Sequence, residues 1–158
     1  MTMSLEAALA GRRVLVVEDE YFVADDIARA LHQLGADVIG PFASRDEALA
    51  SFVTDGDVDV AVLDINVRGE TIYPLVEALR ERGVPFVFAT GYAEGSLPPA
   101  YRNSPRWEKP FDPKALAATL PAWLSPQRES GGYPARAEDG PREDRAARRS
   151  TARITQVG

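Results

Sequence analysis

The chain has 158 residues, 45% hydrophobic and 27% charged, with 18 Lys plus Arg against 24 Asp plus Glu for a formal net charge of −6. That length supports one hydrophobic core, and the acidic balance argues against a general nucleic-acid coat. The absence of cysteine and the single histidine, His32, exclude disulfides, thiolate zinc sites, cysteine catalysis and polyhistidine metal sites.

Val14-Leu15-Val16-Val17 is a short unbroken apolar run, the pattern of a strand buried on both faces. Val23, Ile27, Ala30, Leu31 and Leu34 then recur at helical spacing, and Gly35 is placed as a C-terminal cap. Val38-Ile39 predicts a second strand, and Ser44 with Glu47 forms a capping box that opens a helix through Ala48, Leu49, Phe52 and Val53. Val58 to Leu63 predicts a third strand, interrupted by Asp59. A third helical stripe runs through Ile72, Leu75, Val76 and Leu79 and ends at Gly83. Phe86 to Ala89 predicts a fourth strand. Between Gly91 and Pro105 the density of Gly and Pro leaves room only for a short fourth helix. Arg106-Trp107-Glu108 predicts a fifth strand, and Asp112-Pro113 caps a last helix through Leu116 and Leu120 that Pro121 kinks or ends.

Five β–α units in about 110 residues imply an α/β fold, a parallel sheet with helices on both faces. Residues 1–10 precede this body as an N-terminal extension, the body spans 11–124, and residues 1–124 together hold 11 basic and 19 acidic side chains. Residues 125–158 hold only Tyr133, Ile154 and Val157 as large apolar groups, so a disordered tail is expected there, with no further folded module. No apolar run approaches the roughly 20 residues that span a bilayer, and no secretory signal is visible at the start. A cytoplasmic protein without a membrane partner is expected.

In parallel sheets, ligands bind at the carboxyl ends of the strands. Glu18-Asp19-Glu20 follows the first strand, Asp64 ends the third, Thr90 ends the fourth and Lys109 follows the fifth. Taken singly, each has a plain explanation in a solvated helix start or turn chemistry. As an ordered set on different strand ends they point to one pocket, where hard carboxylate oxygens suit Mg²⁺ and a lysine beside a hydroxyl suits a phosphoryl group.

These motifs, Val16-Val17-Glu18-Asp19-Glu20, Val62-Leu63-Asp64, Ala89-Thr90-Gly91 and Lys109-Pro110-Phe111, resemble the signature of response-regulator receiver domains over residues 11–124. Phe88-Ala89-Thr90-Gly91-Tyr92 resembles the FAT GUY subgroup of bacterial receivers. The resemblance implies a flavodoxin-like (βα)5 doubly wound sheet of strand order 2-1-3-4-5. It implies that Asp64 accepts a phosphoryl group from a histidine kinase, the HWE type being the one linked to this subgroup. Asp19, Asp64 and the carbonyl of Asn66 would bind Mg²⁺ directly, with Glu18 holding a metal-bound water. Thr90 and Lys109 would contact phosphoryl oxygens, and the Lys109–Pro110 peptide would be cis. Tyr92 would lie beside the path of attacking water. A stand-alone receiver, not an enzyme, would signal by binding a downstream protein or phosphotransferase. Many receivers carry an aromatic three residues before the lysine; Arg106 stands there, and strand alternation sends Trp107 to the other face.

Two other functions compete. An aspartyl-phosphate hydrolase of the haloacid-dehalogenase type needs an acidic residue two positions after the nucleophile, where this chain has Asn66. A nucleic-acid-binding role would rest on the Arg142–Arg153 stretch, which Glu143 and Asp144 dilute.

Overall fold

Continuous apolar runs build the sheet because a strand covered on both faces has no solvent side. In the computed structural model, which describes residues 8–91 and 97–124, such runs form β1 (Arg13–Val17), β3 (Val60–Leu63) and β6 (Phe86–Thr90), and the more polar β2 (Asp37–Phe42) and β7 (Arg106–Glu108) flank them. They form one five-stranded sheet, order β2-β1-β3-β6-β7, with every adjacent pair parallel. Counted along the chain, that is the expected 2-1-3-4-5 arrangement of a flavodoxin-like α/β fold. Tyr92 and the 125–158 segment lie outside the described residues.

Strand alternation divides the core in two. Leu15, Val17, Ala61, Leu63 and Phe88 point to the side covered by α2 (Arg45–Thr54) and α3 (Tyr73–Glu81). Val14, Val16, Val60, Val62, Val87 and Ala89 face α1 (Tyr21–Gln33) and α4 (Pro113–Thr119). Each fully buried aliphatic contributes about 1.5–3 kcal/mol, and a one-residue slip would exchange the two sets, so the register is fixed. Trp107 packs on the α1/α4 side, 6.3 Å from the Phe111 ring, as alternation requires.

The predicted caps form. The Ser44 hydroxyl accepts from the Glu47 N–H at 3.1 Å, and the Asp112 carboxylate accepts from the Lys114 N–H at 3.0 Å. Pro121 ends α4, and a 3₁₀ turn, Leu120–Trp123, replaces its last stretch.

Three features depart from expectation. Leu9, in the stretch read as an extension, is fully buried, and its N–H bonds to the Leu34 carbonyl at 2.8 Å. Val53, placed on the apolar stripe of α2, is exposed, because only Ala48 and Phe52 reach the sheet with Leu49 half-covered. Between Leu97 and Pro105, by contrast, the connection carries a 3₁₀ turn, Pro99–Tyr101, as short as the density of Gly and Pro implies. Finally, a small antiparallel hairpin, β4 (Asn66–Val67) with β5 (Glu70–Thr71), fills the passage from β3 to α3.

Candidate functional site

In the order β2-β1-β3, the chain leaves β1 in one direction and β3 in the other, which opens a crevice beyond their carboxyl ends. Glu18 and Asp19 follow β1 directly and Asp64 follows β3 directly, so all three enter that crevice. One carboxylate oxygen from each lies within 4.8 Å of the others. Backbone bonds fix the approach. The Asp64 N–H donates to the Val17 carbonyl at 2.9 Å, and the Glu18 N–H donates to the Phe42 carbonyl at 2.9 Å. The second bond depends on a bulge that sets Val17 opposite Phe42. Gly40, at φ 102, makes that bulge possible, because a Cβ there would lie 2.7 Å from the Phe42 nitrogen and 2.9 Å from the Val16 carbonyl oxygen.

Lys109 enters from the end of β7, two strands over from β3. Its N–H donates to the Thr90 carbonyl at 2.9 Å, joining the ends of β6 and β7, and the Lys109–Pro110 peptide is cis. Its ammonium lies 2.9 Å from Glu18 Oε1, 3.0 Å from Asp64 Oδ2 and 3.2 Å from Glu20 Oε1. Thr90 itself is fully buried at the end of β6. Asn66, two residues past Asp64, donates its backbone N–H to Asp64 Oδ1 at 3.3 Å. Both Asp64 oxygens are thus engaged, one by a backbone donor and one by a cation. The six residues singled out from the sequence, Glu18, Asp19, Asp64, Asn66, Thr90 and Lys109, therefore gather at one edge of the sheet.

The charges do not balance. Three carboxylates, two of them buried, and Glu20 beside them face one ammonium. Burial, with the nearby Asp64 charge, pushes the Glu18 carboxyl up to about 7, against the Glu20 N–H and Lys109, which favour its ionised form. Burial by itself would lower the Lys109 pKa, but its hydrogen bonds to Glu18 and Asp64 and their charges hold it above the ordinary lysine value. Glu18 Oε1 is fully buried and accepts no hydrogen bond, although the Lys109 nitrogen is close, because that nitrogen sits off the required direction. A buried acceptor without a donor, in an all-oxygen site with surplus negative charge, fits a hard divalent cation or its water shell.

Two contacts were absent from the sequence reading. Glu20 reaches Lys109, and the backbone N–H of Arg68 donates to Asp19 Oδ2 at 2.8 Å. The signal for the second was Gly69, the glycine of a two-residue hairpin turn.

No protein-family model matches the chain. Solved structures do. SdrG from Sphingomonas melonis Fr1 is 41% identical, with 75% of this chain and 99% of SdrG covered and a TM-score of 0.59. SdrG has also been solved in a BeF3-activated conformation, from Pseudomonas melonis Fr1, at 40% identity over 70% of this chain and 98% of that one, TM-score 0.57. A CheY-like response regulator receiver domain from Methylobacillus flagellatus is 28% identical over 70% of this chain and 97% of its own, TM-score 0.56. The sensory transduction protein LytT of Bacillus subtilis (strain 168) is 27% identical over 120 residues, 74% of this chain. The chain spans about half the length of that curated relative, 50%. With this fold, this edge and these relatives, the chain belongs to the response-regulator receiver family of two-component systems. Receivers are signalling phosphoacceptors. Among the described residues, no helix is long and apolar enough to cross a membrane.

Proposed function

We propose that residues 11–124 form a phosphoryl-accepting receiver of the FAT GUY subgroup, with Asp64 as acceptor, a histidine kinase of the HWE type as donor, and a downstream protein or phosphotransferase as target. The observation that carries this is the single ammonium of Lys109 bridging Glu18 and Asp64 at the crevice between β1 and β3. The run Phe88-Ala89-Thr90-Gly91 leaving β6 supports the subgroup.

In the transfer, an Asp64 oxygen attacks the phosphorus of a phosphohistidine. The new P–O bond forms as the P–N bond breaks, and the imidazole leaves with the electron pair. A carboxylate is a weak nucleophile, so positioning and charge neutralisation supply the rate. The Asn66 N–H holds one Asp64 oxygen and orients the other. Lys109, already on that other oxygen, is placed to follow negative charge onto the phosphoryl group, and Thr90 offers a hydroxyl from the adjoining strand. Glu18, Asp19, Asp64 and the Asn66 carbonyl would hold Mg²⁺, which when bound offsets the charge of the carboxylates and of the incoming group.

Intact-protein mass spectrometry after incubation with acetyl phosphate and Mg²⁺ tests this. Wild type should gain one phosphoryl group and Asp64→Asn none, because the amide keeps the shape and loses the nucleophilic charge. Equal incorporation in Asp64→Asn would remove Asp64 from its proposed role.

A further inference from the structure

The β4–β5 hairpin touches two of the carboxylates at once. Arg68, in its turn, donates a backbone N–H to Asp19 Oδ2, and Asn66, at its base, donates one to Asp64 Oδ1. The hairpin is itself anchored from below. Val67 is wholly buried, and the Ile72 N–H bonds to the Ile65 carbonyl at 2.8 Å to close its base. On the outer side, the Arg45 guanidinium at the start of α2 donates to the Thr71 carbonyl at 3.1 Å and lies 3.7 Å from Glu70.

The turn has an unusual backbone. Arg68 has φ 53 and Gly69 has φ 80, so both central residues are left-handed, as a tight hairpin turn requires. A non-glycine residue in that region costs roughly 1–2 kcal/mol. Arg68 is the one non-glycine with positive φ among the described residues, and its N–H is the one that reaches Asp19. Backbone strain is thus held beside the site, with its N–H donor aimed at a site carboxylate.

We propose that the Arg68–Gly69 turn is a positioning device for Asp19. The Arg68 N–H fixes one carboxylate oxygen and leaves the other turned toward the cation site, and Arg45 steadies the hairpin that carries the donor. The proposal rests on the Mg²⁺ site described above. It makes the backbone at position 68, not the guanidinium, the working part. It also means that the hairpin, bonded to Asp19 and to Asp64, trims a spacing that the pairing of β1 with β3 sets first. Donors of this kind, touching a ligand and not the metal, shift metal affinity by about 10–100-fold.

Mg²⁺ affinity of the full chain, measured by calorimetry with the metal alone, and urea stability in EDTA separate positioning from general weakening. Gly69→Val should bind Mg²⁺ roughly tenfold more weakly. Gly83→Val is the matched control. Gly83 has φ 71, and an added Cβ at either glycine meets nothing within 4 Å, so the steric and backbone insults are alike while Gly83 lies at the end of α3. It should lose stability and keep wild-type affinity. Gly69→Asn, which tolerates left-handed backbone, should restore affinity. Arg68→Gly should bind at least as well as wild type. Arg45→Ala, a gentler change in case Gly69→Val does not fold, should weaken Mg²⁺ several-fold. Wild-type affinity in both Gly69→Val and Arg45→Ala, or equal weakening in Gly83→Val, overturns the proposal while leaving the Mg²⁺ site standing. A wild-type chain that binds no Mg²⁺ overturns both.

Discussion

The two edges of the sheet carry clusters of similar composition and opposite character. At the amino edge, Arg13 lies 3.4 Å from Asp37, 3.3 Å from Asp55 and 3.4 Å from Asp57, while its N–H bonds to Asp59 at 2.8 Å and Arg12 pairs with Asp59 at 3.7 Å. Asp37, Asp55 and Asp57 are all mostly in water. At the carboxyl edge, Glu18 and Asp64 are buried and share one ammonium. Water screens Asp37, Asp55 and Asp57, so their surplus negative charge costs little, while burial pushes the Asp59 carboxyl up, against the Arg13 N–H and Arg12, which favour its ionised form. The carboxyl-edge cluster has no such screen, and its surplus shows in the raised Glu18 pKa and the donorless Oε1. Composition alone does not separate a solvated acidic patch from a cation site; burial does.

The largest contrast should come from removing each edge's cation. Lys109→Ala leaves two buried carboxylates unpaired. Stripping one partner from a fully buried pair costs about 3–5 kcal/mol, and the partial exposure of Lys109 reduces this to about 1–3 kcal/mol. Urea unfolding in EDTA should show that loss, and Mg²⁺ should recover more of it than it adds to wild type. Arg13→Ala, losing three exposed partners, should cost less than about 1 kcal/mol. Equal losses would mean that the carboxyl edge is as well screened as the amino edge.

A smaller effect should appear with pH. The folded-state Glu18 pKa, about 7, lies above its ordinary value of 4.5, so the folded state holds that proton more tightly than the unfolded state. Its contribution to stability is complete below about pH 4.5 and is lost as pH rises through about 7. Metal-free stability should therefore rise as pH falls from 8 to 6, and Glu18→Gln should flatten that slope. Saturating Mg²⁺ should oppose it, because binding favours the ionised carboxylate. A wild-type slope that Glu18→Gln leaves unchanged would place the titration elsewhere. The smallest effect belongs to Asp57→Asn, at the exposed amino edge, where stability should stay within about 0.5 kcal/mol of wild type at both pH values.

Much of this was legible in the chain. Unbroken runs such as Val14–Val17 and Phe86–Ala89 announce strands buried on both faces, and the side chains that close them, Glu18, Asp64, Thr90 and Lys109, are where a parallel sheet puts its chemistry. Ser44 and Asp112 mark helix starts by side-chain oxygens that the structure uses. Strand order was not derivable from spacing; the family motifs carried it. The β4–β5 hairpin was hidden because two-residue strands are too short to show any period. Leu9 was hidden because its burial depends on a partner, Leu34, 25 positions away. The stacking of Tyr101 on Tyr73, ring centroids 4.6 Å apart, likewise joins segments that no local pattern connects. Val53 misled because it fits a helical stripe whose far side has nothing to cover it.

On the function proposed above, the carboxyl edge and not the amino edge takes a divalent cation. Mg²⁺ titration of wild type, Asp19→Asn and Asp57→Asn by calorimetry tests it directly. One Mg²⁺ per chain should bind wild type and Asp57→Asn alike, and Asp19→Asn should bind at least about tenfold more weakly, having lost a charged oxygen ligand. Unchanged affinity in Asp19→Asn, or a matching loss in Asp57→Asn, would contradict it.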